Sequence, residues 1–193
     1  MNDLRNLTQS SRGVRNNNPF NVIKTADQWT GKTTGRDTKF ETFTAVEYGI
    51  RAGIIDIVGD ICKDKKNTIS KFISEFAPRT ENNTTAYITF LSDQTGKKAD
   101  EILTDSTGKI DFNLLLKIAI GIIRKENGTE AAKISQKMIL DGVILGANAP
   151  QIKKFISNFP KELDTEVKPK VLKNKSGLIV VLIIFAIVIF SQI

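Results

Sequence analysis

Glu126, Glu81 and Glu47 are the residues whose settings suit proton transfer. The chain of 193 residues contains no histidine, which removes Ser-His and Cys-His catalysis and most zinc sites. General acid–base work then falls to carboxylates. Glu126 ends an apolar run, Ile122-Ile123-Arg124-Lys125-Glu126-Asn127-Gly128. A carboxyl there can be half buried against the domain while facing a cleft, and desolvation together with the negative helix end would raise its pKa. On spacing alone a solvated glutamate before a glycine C-cap is the simpler reading. Glu81 falls between two helical patterns and either meets substrate or caps the next helix. Glu47 stands at a helix start, where its charge suits the dipole. No metal-ligand spacing and no cofactor motif occurs, so neither is expected.

The elements that position these groups follow from periodicity. Phe20, Val22 and Ile23 form one candidate strand and Phe40 to Phe43 another, with turns at Trp29-Thr30-Gly31 and Thr34-Gly35. Ile50, Ile54, Ile57, Val58 and Ile61 predict a helix from near Val46. Ile69, Phe72, Ile73 and Phe76 predict a second, stopped by Pro78, and Tyr87, Ile88 and Leu91 a third, capped by Asn83 or Thr84. Asp111 is placed to cap a fourth through Leu115, Leu116, Ala119, Ile122 and Ile123, closed by Gly128. Thr129 opens a fifth through Met138, and Asn148-Ala149-Pro150 a sixth. Cys62 lies in an apolar stripe, as a buried small hydrophobe would.

The C-terminal end has a different character. Residues 177–190 read GLIVVLIIFAIVIF, without a polar or charged side chain. As a helix they would span roughly 21 Å, against about 30 Å for a hydrocarbon core. The expectation is a short transmembrane helix over 177–193, preceded by a basic linker over 160–176. Lys168, Lys170, Lys173 and Lys175 precede the run, which places the main domain on the cytoplasmic side. Met1 to Asn18 is polar and has no apolar core of a secretory leader. The domains expected are therefore an extended segment over 1–18, a main domain over 19–159, the linker and the anchor. A net charge of +7 favours anionic surroundings, and the juxtamembrane lysines fit a lipid bilayer. No nucleic-acid module is visible.

Five blocks of the sequence occur in a familiar order. Arg12-Gly-Val-Arg-Asn-Asn-Asn-Pro-Phe-Asn21 resembles the RGIRNNNPGN opening of phage-encoded peptidoglycan-degrading domains. Trp29-Thr-Gly31 resembles their W-x-G, and FETFTAVEYGIRA (40–52) their F-x-x-F-x-x-x-E-x-G-I-R-A. FAPRTENNTTAY (76–87) resembles W-A-P-x-x-E-N-x-T-x-x-Y, and IIRKENG (122–128) resembles A-I-x-R-x-E-N-G. Phe20 replaces the glycine of the first block, and Phe76 replaces a tryptophan.

The family is similar to lysozyme-like lytic transglycosylases, including proteins carried by membrane-containing phages. The resemblance implies a mainly α, α+β lysozyme-like domain with a small β-lobe, permuted in motif order, to which the apolar run over 177–193 adds the expected C-terminal transmembrane helix. It implies Glu126 as the catalytic acid, with Glu81 and Glu47 in reserve. Asn16, Asn17, Asn18, Tyr48, Asn82 and Tyr87 would line a sugar cleft, although turn formation explains the asparagines equally well. The implied substrate is peptidoglycan and the implied bond that between N-acetylmuramic acid and N-acetylglucosamine. Muramidase hydrolysis is the variant outcome. The expected setting is the virion membrane, with the domain facing the capsid and its vertex proteins, after assembly at the host cytoplasmic membrane. The rival reading is an inactive structural protein tying membrane to capsid.

Overall fold

Helix α5 (Phe112–Asn127) is the central beam of the domain, because its apolar residues recur on more than one face. Leu115, Ile118, Ala119, Ile122 and Ile123 are fully buried. Asp111 opens it, accepting the Leu114 amide at 3.0 Å. Gly128, at φ +55°, ends it where a side chain would be strained. The computed structural model describes residues 1–77 and 83–163, with the backbone pairs 172–173 and 179–180.

Residues Met1–Asn158 form one unit. In chain order it contains α1 (Arg12–Arg15), β1 (Lys32–Thr33), β2 (Thr42–Phe43), α2 (Val46–Val58) and α3 (Ile69–Phe76). There follow α4 (Thr84–Thr95), β3 (Ile110–Asp111), α5, α6 (Gln136–Ala147) and β4 (Ile156–Ser157). Helix α2 packs most extensively on α6, while α4 lies on α5 and α3 on α4. Phe20, only 1% exposed, lies on α2 where Gly53 has no side chain; a Cβ there would collide with the ring. The aromatic replacement in the first motif is thus a packing residue.

Strands are short. β1 and β2 pair antiparallel, with Lys32 opposite Phe43, and an isolated bridge joins Ile23 to Phe40. Below this hairpin the Glu41 carboxylate, 1% exposed, accepts from Lys32 Nζ at 2.7 Å and from the Thr25 amide at 3.1 Å. β3 and β4 pair in parallel, Ile110 with Ile156.

Two expected helices differ. The fifth begins later: residues 128–133 wind as a 3-10 helix, and Ser135 caps α6 through the Met138 amide at 3.2 Å. Beyond Pro150 only a 3-10 turn, Lys153–Phe155, forms before Ile156 joins β3. Within residues 1–18, Arg12–Arg15 make the single turn of α1.

The second unit comprises Phe159–Ile193. It holds a 3-10 turn at Lys161–Leu163 and an antiparallel pair of β5 (Leu172–Lys173) with β6 (Ile179–Val180). The expected fold class, a helical domain with a C-terminal transmembrane helix, is corrected here. Among the described residues no helix is long and apolar enough to cross a membrane. Of the run 177–193 only Ile179 and Val180 are described, and they stand in a strand; the rest lies outside the described residues. β-Branched residues serve extended pairing at least as well as a helix, so an apolar Ile/Val run does not dictate a helix.

Candidate active site

Glu126 sits in the last turn of α5, half buried, at the wall of an open cleft of about 590 Å³. The loop after α1, the turn holding Trp29, the face of α2 and the end of α3 also contribute to its lining. Two neutral donors hold the Glu126 carboxylate. Asn21 Nδ2 donates to Oε2 at 2.8 Å, and the Tyr87 hydroxyl donates to Oε1 at 3.0 Å. No ion pair to Glu126 occurs among the described residues.

Tyr87 comes from α4 and is 3% exposed. Burial first, then the Glu126 charge and the hydrogen bond to it, push its phenol far above the usual range. It therefore remains a proton-bearing donor at any physiological pH. Its ring meets Phe76 edge-on, with centroids 6.2 Å apart, and Lys125 Nζ lies 5.6 Å from its centre. Phe76 both lines the cleft and braces Tyr87.

Asn21 is held with φ +51°, a left-handed conformation that asparagine tolerates better than most residues. Its Oδ1 is buried without a hydrogen-bond partner, and so is Trp29 Nε1. Both residues line the cleft. A buried acceptor and a buried donor without partners each cost stability.

Carboxylates gather on the cleft wall away from Glu126's own helix. Asp56 projects from α2, Asp60 from the π-helical turn Gly59–Lys63 that continues it, and Glu75 from α3. Lys66 Nζ pairs Asp60 at 2.9 Å and Glu75 at 2.7 Å. Asp56 makes no such pair among the described residues. Asp56 is exposed at the cleft mouth; desolvation by the surrounding protein atoms, then the charge of Asp60, still push its carboxyl up to about 6, while Lys66 opposes this and Asp27 and Glu75 add to it. Its one sequence signal is an acid inside the apolar stretch Ile54-Ile55-Asp56-Ile57-Val58. Asn21 and Trp29 stand in the motif blocks, but nothing in their spacing marks their orphan atoms.

The other expected site residues are distributed differently. Glu47 is 1% exposed and sealed, its Oε2 accepting the Asn2 amide at 2.8 Å and its Oε1 the Asn2 side chain. Asn16 donates to Asp37 Oδ2 at 3.2 Å. Asn17 and Asn18 are fully buried; Asn17 Nδ2 donates to Phe43 O at 3.0 Å and Asn18 Nδ2 to Glu41 O at 3.0 Å. These amides pin the loop after α1 to β2. Tyr48 packs its ring on Gly31 and is not part of the cleft lining. Glu81 and Asn82 lie outside the described residues. Among the described residues no cluster of three metal-ligating side chains occurs.

The fold and cleft together define a mainly helical domain with a carboxylate-lined groove and neutral donors at its centre. No family model matches the chain. It is 35% identical over 105 residues to Protein P5 of Pseudoalteromonas phage PM2. The alignment covers 52% of this chain and 66% of that protein, so the chain spans just under two thirds of its relative's length. The similarity ties the chain to a bacteriophage protein.

Proposed function

We propose that this phage protein cleaves peptidoglycan glycan strands as a lytic transglycosylase, with Glu126 moving the proton. The observation that carries the reading is the setting of Glu126 in an open cleft, held by Asn21 and Tyr87 rather than by a countercharge. A structural carboxylate is normally neutralised by a cation or sealed, as Glu41 and Glu47 are.

The chemistry follows from the two donors. Asn21 Nδ2 can only donate, so Oε2 stays an acceptor, whereas the Tyr87 hydroxyl can turn from donor to acceptor when Glu126 carries a proton. Protonated Glu126 gives its proton to the glycosidic oxygen, and the bond to the anomeric carbon breaks. The substrate's N-acetyl group stabilises the positive charge that develops there. Glu126, now doubly hydrogen-bonded as in this structure, next takes the proton of the muramyl C6 hydroxyl as that oxygen closes the anhydro ring. No water is consumed.

Asp56 supports a second reading. A further carboxylate on the same cleft can position water, which would make the reaction a hydrolysis. Delivery in the virion, to open the wall locally as the phage penetrates its host, is the biological role we assign. Its support is the phage relative and the motif blocks.

The test is full-length protein on purified peptidoglycan beside Glu126→Gln, with products read by mass spectrometry. Anhydromuropeptides from the parent and none from the variant are expected; reducing-end products would establish hydrolysis instead. No release by a folded parent would overturn the enzyme reading in favour of a structural tether to the capsid. Absence from purified particles would overturn the virion role.

A further inference from the structure

A second pocket, of about 520 Å³, opens between the N-terminal segment, α1 and the loop leading to β2. Arg5, Arg15 and Arg36 reach it from three separate stretches of chain, and among its lining residues Asp37 is the one carboxylate. Asp37 already has its donors. Its Oδ1 accepts the Lys39 and Phe40 amides at 3.0 and 2.9 Å, and its Oδ2 accepts Asn16 Nδ2 and lies 3.8 Å from Arg12 Nε. The arginines are less satisfied. Arg5 gives Nε and Nη2 to Asp3, and Arg15 gives Nη1 to Ser10 O at 3.1 Å. Each keeps donors in hand, since a guanidinium has five. Arg36 is exposed and makes no hydrogen bond or ion pair among the described residues.

The floor supplies an independent observation. Thr42 is 3% exposed, yet its Oγ1 has no hydrogen-bond partner. The hydroxyl lies against Gly35, where a Cβ would collide with it, and both residues line the pocket. A buried hydroxyl without a partner, on a residue lining a pocket that three arginines also line, costs stability unless something binds there. Planar guanidinium forks from several directions suit a ligand with several anionic oxygens.

We propose that this pocket binds a phosphate group, either free or on a lipid headgroup. The proposal is independent of the cleft chemistry, and its test uses no activity measurement.

Inorganic phosphate is titrated against the full chain and followed by amide shifts of Gly35, Arg36 and Thr42, with chloride at matched ionic strength as the control. Saturable shifts at these residues are expected with phosphate alone. Joint replacement of Arg15 and Arg36 by Ala should weaken binding at least tenfold, and Thr42→Val, which keeps the shape, about threefold. Identical shifts with phosphate and chloride would overturn the proposal. So would a folded double variant that binds phosphate as the parent does. Co-sedimentation with phosphatidylglycerol vesicles, against phosphatidylcholine alone, separates the sources. Retention on anionic vesicles that the double variant loses assigns a headgroup. Phosphate binding without such retention assigns a free phosphate. Either result upholds the pocket.

Discussion

The Tyr87 hydroxyl lies 3.0 Å from Glu126 Oε1, joining residues 39 positions apart through the contact of α4 with α5. A hydrogen bond to a charged group contributes about 1.5–3 kcal/mol, which corresponds to roughly 10–100-fold in rate where it acts on the transition state. Tyr87→Phe should lower kcat for peptidoglycan cleavage by that factor and leave KM little changed. The same burial predicts a spectroscopic result. In an alkaline absorbance titration of the native protein one tyrosine should ionise only as the chain unfolds, and Tyr87→Phe should remove that phase.

Asn21 separates stability from function. Its φ of +51° suits glycine without strain, whereas alanine there pays a penalty of about 1 kcal/mol. Asn21→Gly should therefore keep the melting temperature near that of the parent, and Asn21→Ala should lower it by a few degrees. Both variants lose the donor to Glu126 Oε2 and should lose comparable activity. Activity retained in the glycine variant would remove Asn21 from the machinery.

Much of the framework was legible because it is local. The apolar spacing of α2, α3 and α5 and the caps Asn83 and Asp111 all lie within a few residues of what they stabilise. Asn83 Oδ1 accepts the Ala86 amide at 3.0 Å, as a cap residue there should. Ser135 was harder to identify, because Gly128 and the 3-10 turns after it absorb the residues that otherwise would have opened α6. At the site, Glu126 and Tyr87 stand in motif blocks, but their meeting depends on how two helices pack. Asn17 and Asn18 illustrate the opposite difficulty. A buried amide that braces a loop and an amide that greets a sugar look the same in sequence. At the C-terminal run, hydropathy measures how apolar a stretch is and not its conformation: the two described residues, Ile179 and Val180, stand in a strand.

Glu47 carries a prediction about the N-terminus. Its buried carboxylate is satisfied by the backbone and side chain of Asn2, and Val46 donates its amide to Asn2 O at 2.8 Å. Deleting residues 1–3 leaves that charge buried without donors, a cost of about 2 kcal/mol. Urea denaturation should show the midpoint falling by a corresponding amount. Cleft residues such as Asn21 and Glu126 should keep their native amide shifts, because the seal lies apart from the cleft.

Asp56 makes stability fall as pH rises through its own titration. Its folded carboxyl titrates at about 6, above the ordinary 3.8. Below about 3.8 both states hold the proton, and the residue adds no pH dependence. Between 3.8 and 6 the unfolded chain releases its proton first, so stability falls as pH rises, and above 6 the loss is complete. Asp56→Asn cannot ionise. Thermal unfolding should find the variant equal to the parent near pH 3.5 and more stable than it at pH 7, with the gap opening across that window. If Asp56 also serves the reaction, the stabler protein should be the poorer enzyme, as is common where a charge is held against its preference. A pH–rate limb near 6 in the parent, absent from the variant, would assign that proton to Asp56. An unchanged profile would remove Asp56 from the proton transfers of the reaction.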